Sequence, residues 1–296
     1  MHFYFLFILL SCCLAFRLPA ATAEKSIFQN EFNHYSGEHI KEVAIMGSEA
    51  SGTVFLLSII KKNFPEYVIH AVSGHKFPHR HFFPWFDLSK FQIVKKKDIN
   101  ANHLEIEKNC LNDSKDCLFI YITKNAYDWL NLYYLERPST YKNEEQSLKQ
   151  ECFSSWISAQ WEVEQDSSDK FNTTNWNPYE GRAFNNILEL RKYRILNFLQ
   201  IGSLVNNFMF IRYEDLIKDP EEFVNFVSEN FYLEKKSIFQ EVSLVKLNWV
   251  RNVFHEKESC ISQSDLDFIT QHLDWEVEQL VGYQKDKTIH NVHATK

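Results

Sequence analysis

Short apolar runs alternate with amphipathic stretches along most of this chain. Lys41–Met46 (KEVAIM), Tyr67–Val72 (YVIHAV), Leu118–Thr123 (LFIYIT) and Phe208–Arg212 (FMFIR) are brief, continuous and rich in branched or aromatic residues. Such runs predict strands buried on both faces. Between and after them the spacing turns helical, over Thr53–Phe64, Trp156–Glu164, Ile187–Ile201 and Pro220–Phe231. A last amphipathic stretch, Ser264–Leu280, reads as one helix with Ser264 as its cap and Asp267 three residues on. Strands alternating with helices predict an α/β domain of three layers, a central parallel sheet flanked by helices. The pattern lapses over 138–182, which is rich in Ser, Asn, Gln and charge yet holds Trp156, Trp161 and Trp176. A stretch that long inside a compact domain is expected to be a lid or insertion.

The amino terminus adds an address. Phe3–Phe16 is apolar and uncharged, and shorter than the roughly 20 residues of a spanning helix. Arg17 ends the run, and Ala21-Thr22-Ala23 offers the small residues of a cleavage site. Residues 1–23 are therefore expected to be a signal peptide, and 24–296 a single domain in the secretory pathway (Golgi lumen or secreted) with no stable membrane span. Of six cysteines, Cys110, Cys117, Cys152 and Cys260 lie beyond that segment. Cys110 and Cys117 bracket a short polar loop and are the local pair expected to form a disulfide, leaving Cys152 for Cys260. Asn112 and Asn172 head Asn-X-Ser/Thr triplets, so a glycoprotein is expected. No cysteine or histidine cluster has metal-ligand spacing, and no metal is expected. With 39 acidic against 32 basic residues, the formal charge of −7 argues against general nucleic-acid binding.

Chemistry concentrates where the first strand turns into the first helix. Gly47-Ser48-Glu49-Ala50-Ser51-Gly52-Thr53 can aim backbone N–H groups and the helix amino end at an anion, with the Ser51 and Thr53 hydroxyls as further donors. Thr53 stands where a nucleoside-triphosphate loop would have its lysine, which disfavours a kinase. A tight strand-to-helix turn would carry the same residues. Three more stretches bear on the choice: Ile122–Leu130 (ITKNAYDWL), Ile211–Pro220 (IRYEDLIKDP), and Leu273-Asp274-Trp275 through Gly282-Tyr283.

In order and spacing these segments resemble the sulfotransferase family, whose donor is 3′-phosphoadenosine 5′-phosphosulfate (PAPS). The resemblance runs from Val43 to Tyr283, and Asn186–Arg194 is similar to a helix of non-cytosolic and microbial members. It implies a P-loop NTPase-like sulfotransferase fold and a reaction that moves a sulfuryl group from PAPS to a hydroxyl or amine without a metal. By position, it assigns Gly47, Ser48, Ser51, Gly52 and Thr53 to the 5′-phosphosulfate and Lys124 to the 3′-phosphate. Arg80-His81 is similar to a family pair in which the histidine serves as general base, so His81 is the catalytic candidate. Arg212 and Glu214 are implied to brace the sheet rather than touch the donor.

The departures sit in the donor motifs. Ala50 stands where the family loop carries Lys or Arg, Ala126 where it has proline, and Leu132 where it has a serine. A cation at position 50 would offset charge developing on the bridging oxygen. Arg80 and Arg191 are candidates to supply it, with Lys61, Lys76, Arg194 and Arg251 as further cations. The expected partners are PAPS or its product PAP (3′-phosphoadenosine 5′-phosphate) and a glycan or glycoprotein acceptor. The alternative is a catalytically inactive protein of the same fold that binds a glycan or a protein.

Overall fold

Four strands form a parallel sheet in the order β2-β1-β3-β6. In the computed structural model, residues 26–48, 50–71, 115–140, 152–159, 176–177, 182–202, 205–243 and 261–285 are described. Along them run β1 (Glu42–Met46), α1 (Thr53–Asn63), β2 (Val68–Ala71), β3 (Cys117–Thr123), α2 (Ala126–Thr140) and α3 (Phe153–Ser158). The short pair β4 (Trp176–Asn177) and β5 (Arg182–Ala183) follows, then α4 (Ile187–Gly202), β6 (Phe208–Arg212), α5 (Tyr213–Lys218), α6 (Pro220–Phe231), α7 (Gln263–His272) and α8 (Trp275–Leu280). Glu42 to Met46 pair with Cys117 to Tyr121, and Phe119 to Thr123 with Phe208 to Arg212, so β1, β3 and β6 end at one edge.

Alternation along each strand assigns the two faces. Val43, Ile45, Leu118, Ile120, Ile122, Met209 and Ile211 pack with Phe55, Leu56 and Ile59 of α1 and with Phe223 and Val227 of α6. Ala44, Met46, Phe119, Tyr121, Phe208 and Phe210 pack instead with Ile195, Phe198 and Leu199 of α4 and with Val277 of α8. A third apolar cluster joins α2, α3, the first half of α4 and α7. The expected sheet between two helical layers is what forms. Period-2 side-chain direction puts both faces of these runs in apolar surroundings, which is why they carry almost no polar residues.

The outer side of β6 is covered by the segment before β1. His34 and Phe208 exchange backbone hydrogen bonds, 3.0 Å each way. The Asn30 side chain donates to the Phe210 carbonyl (2.9 Å), and the Asn33 side chain accepts from the Phe210 N–H (2.9 Å). Phe28 then packs edge-on against Phe223. These contacts satisfy backbone groups that an open strand edge would leave exposed.

Three sequence expectations are corrected. Ser264–Leu280 is not one helix: Leu273 is extended (φ −63°, ψ 137°), and Asp274 begins α8 by accepting from the Val277 N–H. Ser262, not Ser264, caps α7, through a reciprocal box with Asp265. The helix expected from Trp156 starts earlier, at Phe153, and stops at Ser158, where Ala159 turns extended. Of the cysteines expected to pair, Cys117 and Cys152 are described. Cys117 is buried under α4 as the first residue of β3, and Cys152 is exposed with Sγ 3.2 Å from Ser155 Oγ. Their expected partners Cys110 and Cys260, the Asn112 and Asn172 triplets and the amino-terminal segment lie outside the described residues, as does most of 138–182. Among the described residues no helix is long and apolar enough to cross a membrane.

Candidate active site

The loop after β1 is shaped by close approach. A Cβ on Gly47 would lie 2.6 Å from Ser51 Oγ and 2.7 Å from the Ile122 carbonyl oxygen, so only glycine lets the chain leave β1 this close to β3. The Ser51 N–H closes the turn on the Ser48 carbonyl at 3.1 Å. Ala50 (φ 62°) and Gly52 (φ 100°) are both left-handed. Gly52 also meets the Tyr213 ring, which a Cβ there would approach to 2.2 Å. Glycine alone accepts both that backbone and that neighbour.

What the loop leaves open is polar. Gly52 occupies the N-cap of α1, where it has no side chain to accept from the first-turn N–H groups, and the first turn contains no acid. Ser51 is 1% exposed and its hydroxyl has no hydrogen-bond partner. Ser48 and Thr53 flank it, half-buried. A buried hydroxyl beside an uncapped helix start suits an incoming oxyanion.

Lys124 follows the last residue of β3. It is 2% exposed, and its Nζ lies 3.9 Å from the centroid of the Tyr213 ring. The same ring abuts Gly52, so Tyr213 brings the loop and the lysine together. Burial, with the nearby charges of Glu214 and Asp128, pushes the Tyr213 hydroxyl up to about 12.

Behind Lys124 the strand ends are braced. Arg191 donates from Nε and Nη2 to the two oxygens of Glu278 (2.6 and 2.8 Å) and from Nη2 to the Lys124 carbonyl (2.9 Å). Both partners are buried. Burial works against the Arg191 charge, yet Glu278 more than offsets it, and the net shift of the guanidinium is upward. Glu214 accepts at Oε1 from the backbone and side chain of Asn125 (2.9 and 3.0 Å) and at Oε2 from the Tyr283 hydroxyl (2.7 Å). Arg212 grips Asp215 through two nitrogens and donates to the Gly282 carbonyl at 3.1 Å.

Of the residues singled out from the sequence, Gly47, Ser51, Gly52 and Thr53 gather in the loop, and Lys124 joins them through Tyr213. Arg191 sits behind Lys124, its guanidinium taken by Glu278. Ala126 and Leu132 are buried apolar side chains. Trp156 is buried in the third cluster. Arg80 and His81 lie outside the described residues, as do Glu49, Lys76 and Arg251. Sequence reasoning missed Tyr213 as the contact between loop and lysine, and Glu278 as the partner of Arg191. The Tyr213 signal was its place after a buried strand end; nothing local pointed to Glu278. Among the described residues no group of three or more His, Cys, Asp or Glu side chains could hold a metal ion.

No protein-family model matches the chain. No curated protein matches it either. Among solved structures it is similar to a mouse sulfotransferase complexed with PAP, at 14% identity and a TM-score of 0.33, over 77% of this chain and 70% of that one. That likeness is too distant to assign a family.

Proposed function

We propose that the chain is a PAPS-dependent sulfotransferase of the secretory pathway, acting on a hydroxyl or amine of a glycan or glycoprotein. The observation that carries this reading is the buried, unbonded Ser51 hydroxyl inside a glycine loop that opens an uncapped helix. The ordered motifs around ITKNAYDWL and IRYEDLIKDP support it. PAPS would supply a sulfuryl group already activated on a phosphate. The chain's own part begins with Ser51, the Thr53 hydroxyl and the first-turn N–H groups of α1, which would hold the phosphosulfate. Lys124, kept at the strand end by Arg191 and Tyr213, would supply positive charge to the 3′-phosphate. His81 is the candidate to take the acceptor's proton, the role that histidine fills most often in general acid–base catalysis.

One observation favours a second reading, a binding protein without transferase activity. Ala50 packs partly buried against the third apolar cluster, so the position of the family's loop cation carries a methyl group turned to the core. Titration of the full chain, expressed in a secretory host, with PAP by calorimetry tests the donor site. Saturable binding near micromolar, about −8 kcal/mol, weakened at least about tenfold (about 1.4 kcal/mol) in Ser51→Ala and Lys124→Ala, is the expected result. Folded protein that ignores millimolar PAP rules out the PAPS reading and leaves the binding protein.

A further inference from the structure

Three acids on or beside α4 are each bonded to a base. Glu189 holds Arg182 (2.7 Å), Asp274 holds Lys192 (2.7 Å), and Glu278 gives both oxygens to Arg191. Arg194, three residues beyond Arg191, is left over. It is 1% exposed, yet its Nε and Nη1 have no hydrogen-bond partner. Its helix packs Ile195 and Phe198 on the Tyr121 face of the sheet, and the Arg194 charge acts on the Tyr121 hydroxyl together with those of Arg191 and Glu278. Ile122, whose carbonyl borders the glycine loop, turns its side chain to the opposite face, against α1.

A guanidinium is always charged, and burying one without a counter-charge costs several kcal/mol. Lysine and arginine are almost never fully buried unless paired. Arg194 is nevertheless 1% exposed, with planar donors that match a carboxylate, phosphate or sulfate.

We infer that Arg194 is the anchor of an anion site on the α4 face, and that it binds an oxyanion (a carboxylate, phosphate or sulfate group) of a ligand. The site is separate from the glycine loop and does not rest on the sulfotransferase reading. Three sources of such a group are possible: a free inorganic anion, the phosphates of PAP, and an acidic sugar.

Thermal unfolding of the full chain, in chloride buffers of constant ionic strength, separates them. Inorganic sulfate, inorganic phosphate, glucuronate and PAP are added in turn to the native protein, Arg194→Met and Arg194→Lys. The native Tm is expected to rise saturably with at least one of these probes, and the probe that acts identifies the source. Arg194→Met should lose that rise without a fall in Tm in anion-free buffer, because the buried charge is gone. Arg194→Lys keeps the charge but not the planar fork, so the probe should bind at least about tenfold more weakly; this variant carries the test if the methionine one does not fold. A native protein indifferent to all four probes, or one whose every response persists at native strength in both variants, overturns the inference. Native protein that ignores PAP but responds to sulfate through Arg194 removes the sulfotransferase reading and keeps this site. PAP bound equally by native protein and Arg194→Met, with no response to the other probes, does the reverse.

Discussion

At the scale of single residues, Arg191 and Glu278 show how a charge is spent. Their side chains are 4% and 3% exposed, and burying two ions costs several kcal/mol before any attraction is counted. Two charge-assisted hydrogen bonds and the one to the Lys124 carbonyl offset that cost and fix the strand end. Glu278→Gln leaves the buried guanidinium unneutralised and should destabilise the protein by about 3–5 kcal/mol. Arg191→Met together with Glu278→Leu should recover most of the loss, since neither charge then remains. Urea denaturation measures both. Loss in the double variant equal to the summed losses of Arg191→Met and Glu278→Leu alone would mean that the two residues do not act as a pair. The sequence cannot reveal this bond. Arg191 reads there as one of several cations available to an anion, and its partner lies 87 positions away. The glycine loop was legible because its constraint is local, whereas Tyr213, on which Gly52 and Lys124 meet, is set by the sheet.

At the scale of elements, the strands were legible and the last helix was not. The buried strands are continuous apolar runs, so β6 and α6 fall where the pattern puts them. From Ser264 to Leu280 the helical spacing persists through a break that only the backbone reveals. Leu273 is extended, and Asp274 restarts the helix by accepting from the Val277 N–H at 3.2 Å while holding Lys192 at 2.7 Å. Partial burial alone would raise the pKa of Asp274, but the hydrogen bonds from Lys192 and Val277 prevail and hold it below the ordinary aspartate value of 3.8. A depressed folded pKa means that the carboxylate's contribution is fully present above about pH 4 and is lost as pH falls through the lower folded value. Asp274→Ala should therefore cost about 1 kcal/mol at neutral pH, the usual worth of a helix cap. The difference from the native protein should shrink in acid. Denaturation midpoints at neutral pH and near pH 3 check this, and a gap that stays constant with pH would show that Asp274 acts without its charge.

At the scale of the whole molecule, the carboxyl-terminal segment locks the sheet edge at which the candidate site lies. Tyr283 donates to Glu214 after β6, and Glu214 in turn accepts from Asn125 after β3. The adjacent Gly282 carbonyl accepts from Arg212, so one short segment fastens two strand ends. Burial and the Glu214 charge hold the Tyr283 hydroxyl well above its ordinary pKa, so it stays protonated and goes on donating across the usable pH range. Tyr283→Phe keeps the ring but strands one oxygen of a carboxylate, a loss of about 1.5–3 kcal/mol for a hydrogen bond to a charged group. The effect should be regional: faster hydrogen exchange at Asn125 and Gly282, with the middle of β1 still protected. Because Lys124 adjoins Asn125, PAP affinity should fall as well if the proposed donor site is correct. Tyr232→Phe, at a side chain 70% exposed, is the matched control and should change neither measurement. If Tyr283→Phe exchanges like the native protein at Asn125, the strand ends are held by Arg191 and Arg212 alone, and the carboxyl-terminal tyrosine is no lock.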